Sequence, residues 1–203
     1  MVNNSLIEKA IEEEMQDFKK MLSINKYVPL SFNNWQRGKS GSYSRKGICI
    51  DLGTVTEWYE QPYRTKYVLA HELVHAKFNE IRKPWLNIIV LPAMTLEYLM
   101  SELRANTIAF ELLGQDADIL VDYFNNFYVV KFNNPFNVNN GYLSGKTNVY
   151  LIKQNPSWNE KAIEDAIDFF TKKFLLLKIC VTKNQKEKIK RDFKTLLIET
   201  KLD

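Results

Sequence analysis

The stretch that decides the fold is YVLAHELVHAKF, residues 67–78. Tyr67, Leu69, Ala70, Leu73, Val74 and Phe78 recur at helical spacing, which predicts a helix from about Arg64 to Ile81, limited by Pro84. On such a helix, residues four apart lie on one face, a single turn apart. His71 and His75 can therefore aim two imidazole nitrogens at one ion. Glu72, rotated by about 100° from His71, cannot easily join the same ligand set, but it can reach a water on that ion. A zinc ion lowers the pKa of a bound water to about 7, and a carboxylate beside it can take the proton. One turn of helix thus offers two ligands and a general base. The competing reading is three polar residues on an ordinary helix. Against it, the chain has only 2 histidines and both fall inside this pattern, on a helix with the apolar bed that such a site needs.

Working outward, Ser5 and Glu8 have the form of a capping box, and Ile7, Ile11, Met15, Phe18 and Leu22 follow at helical spacing. An N-terminal helix ending near Ser23 is expected. Two β-like runs come next, YVPLSF (27–32) and KGICIDLG (46–53), with the Gly- and Ser-rich WQRGKSGSYSR between them read as a hairpin-type or longer loop. Beyond the HELVH segment, a long helix is expected from about Leu96 to Gly114, with Gly114 as its C-cap. A further helix is expected in DADILVDYFNNFYVV, then a long Asn-rich loop over 131–145, then helices from NPSWNEKAIEDAIDFF (155–170) to the end.

Composition narrows the function classes. The 203 residues are 45% hydrophobic and 26% charged, as in an ordinary globular chain able to bury a core. A net charge of +4 without a concentrated basic patch argues against direct nucleic-acid binding. The run KNQKEKIKRDFK (183–194) mixes signs and carries Ile189, Phe193 and Leu196 or Leu197 as one core-facing stripe, the pattern of a solvated helix. Cys49 and Cys180 lack metal-type spacing and are expected as buried thiols. The first residues carry no signal-peptide pattern, and the apolar stretch 84–100 is interrupted by Pro92 and Glu97. A soluble, cytoplasmic protein with no membrane partner is the expectation.

A catalytic zinc site has three protein ligands and one open position. With no third histidine, the third ligand is expected to be a carboxylate or a Cys. The acidic candidates downstream are Glu80, Glu97, Glu102 and Glu111. Glu80 is expected on the same helix as His75 and pointing away from the pair. Glu102, Asn106, Ala109 and Leu113 share one face of the following helix, where small residues at 105 and 109 allow close approach. Asn106, one turn after Glu102, is placed to hydrogen-bond a metal ligand and fix its orientation.

The segments RTKYVLAHELVHAKF and ELRANTIAFELL together resemble the ImmA/IrrE-type metallopeptidases. In that family a strand and an aromatic-rich approach precede HExxH, and a later helix carries E-x-x-A-N-x-x-A-x-x-L-L. Here Glu102, Ala105, Asn106, Ala109, Leu112 and Leu113 match the second pattern. The likeness covers roughly residues 25–115, and Val74 stands where many members carry glycine. It implies that Glu102 is the third ligand beside His71 and His75, in a gluzincin-type site for Zn2+ with Glu72 as the base. It also implies an endopeptidase whose protein substrate is a partner transcriptional repressor, often encoded beside it in a mobile element or stress locus.

The expected fold is α+β, a small β-sheet packed on a mostly helical zincin-like core with extra C-terminal helices. Residues 1–130 are read as the metallopeptidase-like core and 131–203 as a helical extension. The strand KGICIDLG is expected to offer an edge to an extended substrate by strand addition. Tyr59, Tyr63, Arg64, Tyr98 and Trp58 are candidate donors to a reaction oxyanion, each equally suited to packing or solvation. The alternative function is a regulatory or binding module in which zinc only stabilises the fold. Substrate identity and oligomeric state are not encoded in any pattern of the chain.

Overall fold

The computed structural model of the protein describes residues 4–34, 40–80, 92–114, 117–121 and 145–199, with the side chains of residues 4, 59, 92, 93, 175, 176, 198 and 199 outside the description. The protein is mostly helical with one three-stranded mixed sheet, an α+β architecture. Two compact units divide it, Met1–Arg82 with Ile108–Leu120, and Lys83–Thr107 with Val121–Asp203. The division falls inside a single unbroken helix. The C-terminal helices cluster with the first part of that helix.

In the first unit, α1 (Asn4–Met21) buries Ile7, Ile11, Met15, Phe18 and then Leu22 along one stripe. Asn4 is already helical, so Ser5 lies in the first turn rather than at the N-cap; cap positions are the boundaries that spacing locates least well. The helix stops where expected. Ser23 takes a left-handed φ of 54°, its N–H bonds Lys20 O, and Ile24 N–H bonds Lys19 O at 2.8 Å. That is a Schellman ending.

The sheet has the order β1–β3–β2, with β1 (Leu30–Asn33) parallel to β3 (Gly47–Asp51) and β2 (Gly41–Ser44) antiparallel to it. Two of these strands lie in the runs expected from sequence. β2 corrects the loop reading of GSYS. It carries no apolar alternation and is held by backbone pairing to β3, so hydrophobic patterning does not reveal it. Gly47 is required beside it: φ is +106° there, and a Cβ would stand 2.2 Å from Pro29 O. β3 is the central strand, both of its edges already paired. The expectation that KGICIDLG receives a substrate strand is therefore overturned; among the described residues the outer strands of this sheet are β1 and β2.

Ile48 and Ile50 point to the core side of β3, and the period of two turns Cys49 to the other, partly exposed face. Cys180 is exposed, because Leu177 and Val181 occupy the core at its end of the chain. Neither thiol is buried as expected.

Asp51 caps α2 (Leu52–Thr56) by accepting from Gly53 N–H at 2.9 Å, and a short 3-10 turn over Glu57–Tyr59 leads into α3 (Pro62–Lys77). α3 packs against β2, β3 and α1, so it lies beneath the sheet as expected. Leu69, Ala70, Leu73, Val74 and Ala76 are fully buried. Burial on most of its circumference makes α3 a core helix rather than a one-sided amphipathic one. Lys77 Nζ donates to Leu22 O at 2.7 Å and Lys66 pairs with Glu14 at 2.9 Å, fastening α3 to α1.

α3 ends at Lys77, earlier than the expected Ile81. Asn79 adopts φ 54°, its N–H bonds Ala76 O, and Glu80 N–H bonds His75 O at 2.9 Å. This is a second Schellman ending, with Asn in the left-handed position that it tolerates better than most residues. Proline at 84 is not needed to stop the helix.

α4 (Pro92–Leu113) ends at Gly114, which takes a φ of +54° as a C-cap glycine does. In the second unit, α5 (Gly145–Gln154) is followed by α6 (Glu160–Lys173), which Asn159 caps by accepting from Ala162 N–H at 3.0 Å. α7 (Leu175–Cys180) is short. Thr182 and Gln185 then form a reciprocal capping box at the start of α8 (Lys183–Glu199). Ile189 and Phe193 are the buried stripe of α8, as its spacing predicts. Arg104 of α4, almost fully buried, holds its guanidinium 4.8 Å from the centre of the Phe193 ring. Residues 122–130 and 131–144 lie outside the described residues, so the expected helix of 116–130 is described only over 117–121 and the expected loop not at all. Among the described residues, no helix is long and apolar enough to cross a membrane.

Candidate metal centre

His71, Glu72 and His75 all lie in the second half of α3. The helical offset of four brings the two imidazoles together edge to face, with centroids 4.7 Å apart. Their Nε2 atoms are 3.0 Å apart. At that separation the two nitrogens can share a hydrogen bond or a cation. Tyr67, one turn earlier, packs its buried ring 5.8 Å from that of His71 and limits its rotation.

Glu102 arrives on α4, buried to 6% exposure. Two turns further along this helix, Phe110 meets Tyr67 edge to face at 5.8 Å. The ligand atoms of His71, His75 and Glu102 all lie within 4.8 Å of one another, close enough to hold one metal ion. Zinc bound tetrahedrally at roughly 2.0–2.1 Å would set neighbouring ligand atoms about 3.3 Å apart. The imidazole pair is already near that spacing. Two imidazoles with one carboxylate are also the chemistry of a three-ligand zinc site with an open fourth position. The rival carboxylates Glu97 and Glu111 are both exposed on α4 and stand outside this group.

Glu72 is buried to 9% exposure and faces β2. A Cβ placed at Gly41 would lie 3.3 Å from Glu72 Cγ and 3.6 Å from its Oε1. The base candidate and the outer strand are thus in near contact, which sequence reasoning missed along with the strand. Asn106 is buried as well, and its Nδ2 donates to Asn148 Oδ1 on α5 at 2.9 Å. Asn148 carried no motif that could have flagged it.

Glu80 corrects a further expectation. It does not continue α3 and does not point away. The Schellman turn folds it back, and its Oε2 lies 3.0 Å from His75 Nδ1. The cue was Asn79, whose tolerance of left-handed backbone marks a helix stop two residues before Ile81. Among the oxyanion candidates, Arg64 pairs with Glu57 at 2.8 Å and donates to Gln61 Oε1. Trp58 and Tyr63 are half-buried beside the start of α3, Tyr98 is half-buried on α4, and the Tyr59 side chain is outside the described residues. Comparison with known proteins finds no matching family model, no matching curated protein and no matching solved structure.

Proposed function

We propose that this protein is a zinc-dependent endopeptidase acting on a specific protein inside the cell. The observation that carries the reading is the grouping of His71, His75 and Glu102 with Glu72 one residue along α3. The resemblance to ImmA/IrrE-type metallopeptidases supports it and suggests a partner transcriptional repressor as substrate.

His71, His75 and Glu102 would hold the metal, and bound zinc supplies Lewis-acid polarisation of a carbonyl and acidification of water. Glu72 takes a proton from the attacking water and returns it to the departing amine, a role that needs a carboxylate within hydrogen-bond reach of both. Gly41 places β2 close to Glu72, and β2 is an outer strand of the sheet among the described residues. An extended substrate paired along it would bring a peptide bond towards the base by strand addition.

The test is Glu72→Gln, an isosteric change that leaves all three ligands in place. The variant is expected to bind zinc as the wild type does and to lose cleavage of repressors encoded beside the gene. Normal cleavage by Glu72→Gln refutes the mechanism. If chelation unfolds the wild type and no neighbouring protein is cut, the metal is structural and the regulatory-module reading takes its place.

A further inference from the structure

We infer that Glu80 is a positioning residue for His75, holding the imidazole with Nε2 turned to the metal site; this rests on the metal-site reading above. Each ring nitrogen of a neutral histidine has one role, and the bond made by one sets the role of the other. Glu80 Oε2 is 3.0 Å from His75 Nδ1. A carboxylate there accepts a hydrogen bond from Nδ1–H and leaves the lone pair on Nε2. Nε2 is the atom that lies 3.0 Å from His71 Nε2. The two sides of the His75 ring are therefore occupied as a metal ligand requires, one by a carboxylate and one by the site.

The backbone is built to keep this contact. Glu80 N–H bonds His75 O at 2.9 Å, so the residue is tied to the same histidine through main chain and side chain. Asn79 supplies the left-handed φ of 54° that reverses the chain. Both members of the pair are shielded, with His75 side-chain exposure at 10% and Glu80 at 18%. An ordinary solvent-facing ion pair lacks this shielding and this double attachment.

The experiment measures zinc affinity by competition with a chromophoric chelator, and the visible spectrum of the Co2+-loaded protein, for wild type, Glu80→Ala, Glu80→Gln and Lys66→Met. Lys66→Met removes the ion pair to Glu14, which fastens α3 to α1 away from the histidines, and controls for a general loss of stability. Glu80→Ala is expected to weaken zinc binding about 10–100-fold and to shift the Co2+ bands. Glu80→Gln, which can still accept from Nδ1–H, is expected to recover part of that loss. Lys66→Met is expected to bind zinc as the wild type does. Equal affinity in wild type and Glu80→Ala, or equal weakening by Glu80→Ala and Lys66→Met, overturns the role of Glu80 while leaving the metal site standing. A wild type that binds no zinc overturns the metal-site reading and this inference together.

Discussion

Gly41→Ala probes the coupling between β2 and the Glu72 face of α3. The new methyl would stand 2.5 Å from Val68 Cγ1 and 3.3 Å from Glu72 Cγ. The first separation is about 0.9 Å short of the 3.4 Å at which ordinary contact begins. Val68 cannot easily yield, because a β-branched side chain on a helix has one strongly preferred rotamer. β2 is held in turn by its pairing with β3, from Gly41 opposite Ile50 to Ser44 opposite Gly47. The strand then moves away from α3, or α3 shifts beneath it. Overpacking of this kind costs about 1–3 kcal/mol, which urea denaturation at fixed zinc concentration resolves. Val68→Ala removes the obstructing methyl at a separate cost of about 1 kcal/mol for a half-buried valine. In the double variant most of the Gly41→Ala penalty is expected to vanish, a coupling of at least about 1 kcal/mol. Because the displaced strand is also the proposed substrate edge, cleavage by folded Gly41→Ala is expected to fall more than its zinc affinity. A Gly41→Ala protein within about 0.5 kcal/mol of wild type, or strictly additive single changes, refutes the close approach of β2 to α3.

Zinc at about 100 times its dissociation constant is expected to raise the unfolding free energy by about 2.7 kcal/mol, and His71→Ala to abolish that increment; thermal stability indifferent to both zinc and His71 contradicts the metal site. Asn79→Val is expected to lose about 1–2 kcal/mol, because a β-branched residue resists the left-handed φ, whereas Asn79→Gly holds stability; equal melting temperatures for the two exclude the Schellman stop. On α6 and α8, hydrogen bonds from Lys194 and Lys190 hold the Glu164 carboxyl below its ordinary pKa, and hydrogen bonds to Glu160 and Glu164 hold Lys194 above its own. The depressed carboxylate contributes stability above the ordinary carboxylate range, lost as pH falls through its lowered value. The raised lysine contributes below the ordinary lysine value, lost as pH rises through its elevated one. The difference in melting temperature between wild type and Lys194→Met is therefore expected to be widest near neutrality and to shrink as pH falls below the ordinary carboxylate range and in high salt; a difference unchanged by pH and salt excludes an ionic origin.

The helices were legible because their stability comes from what periodicity measures. Ile7, Ile11, Met15 and Phe18 on α1, and Ile189 and Phe193 on α8, are buried at the spacing at which they recur. The pairing of His71 with His75 was legible for a related reason, since a separation of four fixes their proximity on any helix, whatever packs around it. β2 was not, because GSYS is held by backbone bonds to β3 and by the absence of a side chain at Gly41, and neither leaves a hydrophobic signature. Glu80 was misread for a second local reason. One left-handed residue reverses the chain, and extending the helical period past Asn79 sends the carboxylate to the wrong side.

The two misread features lie close to one another, and their position has a physical logic. Tyr43 on β2 donates its hydroxyl to Asn79 Oδ1 at 3.5 Å, so the outer strand and the turn after α3 meet. β2 lies beside Glu72, and the turn delivers Glu80 to His75. A helix alone can present two imidazoles and a carboxylate, but it cannot fix the ring tautomer or set a strand beside Glu72. Both require chain running outside the helix and pressed close to it. Glycine and asparagine are the residues that permit such close approach and reversal. The approach of His71 to His75 is thus written in spacing, whereas the chain that closes on them from outside the helix is written in the few residues that relax backbone constraints.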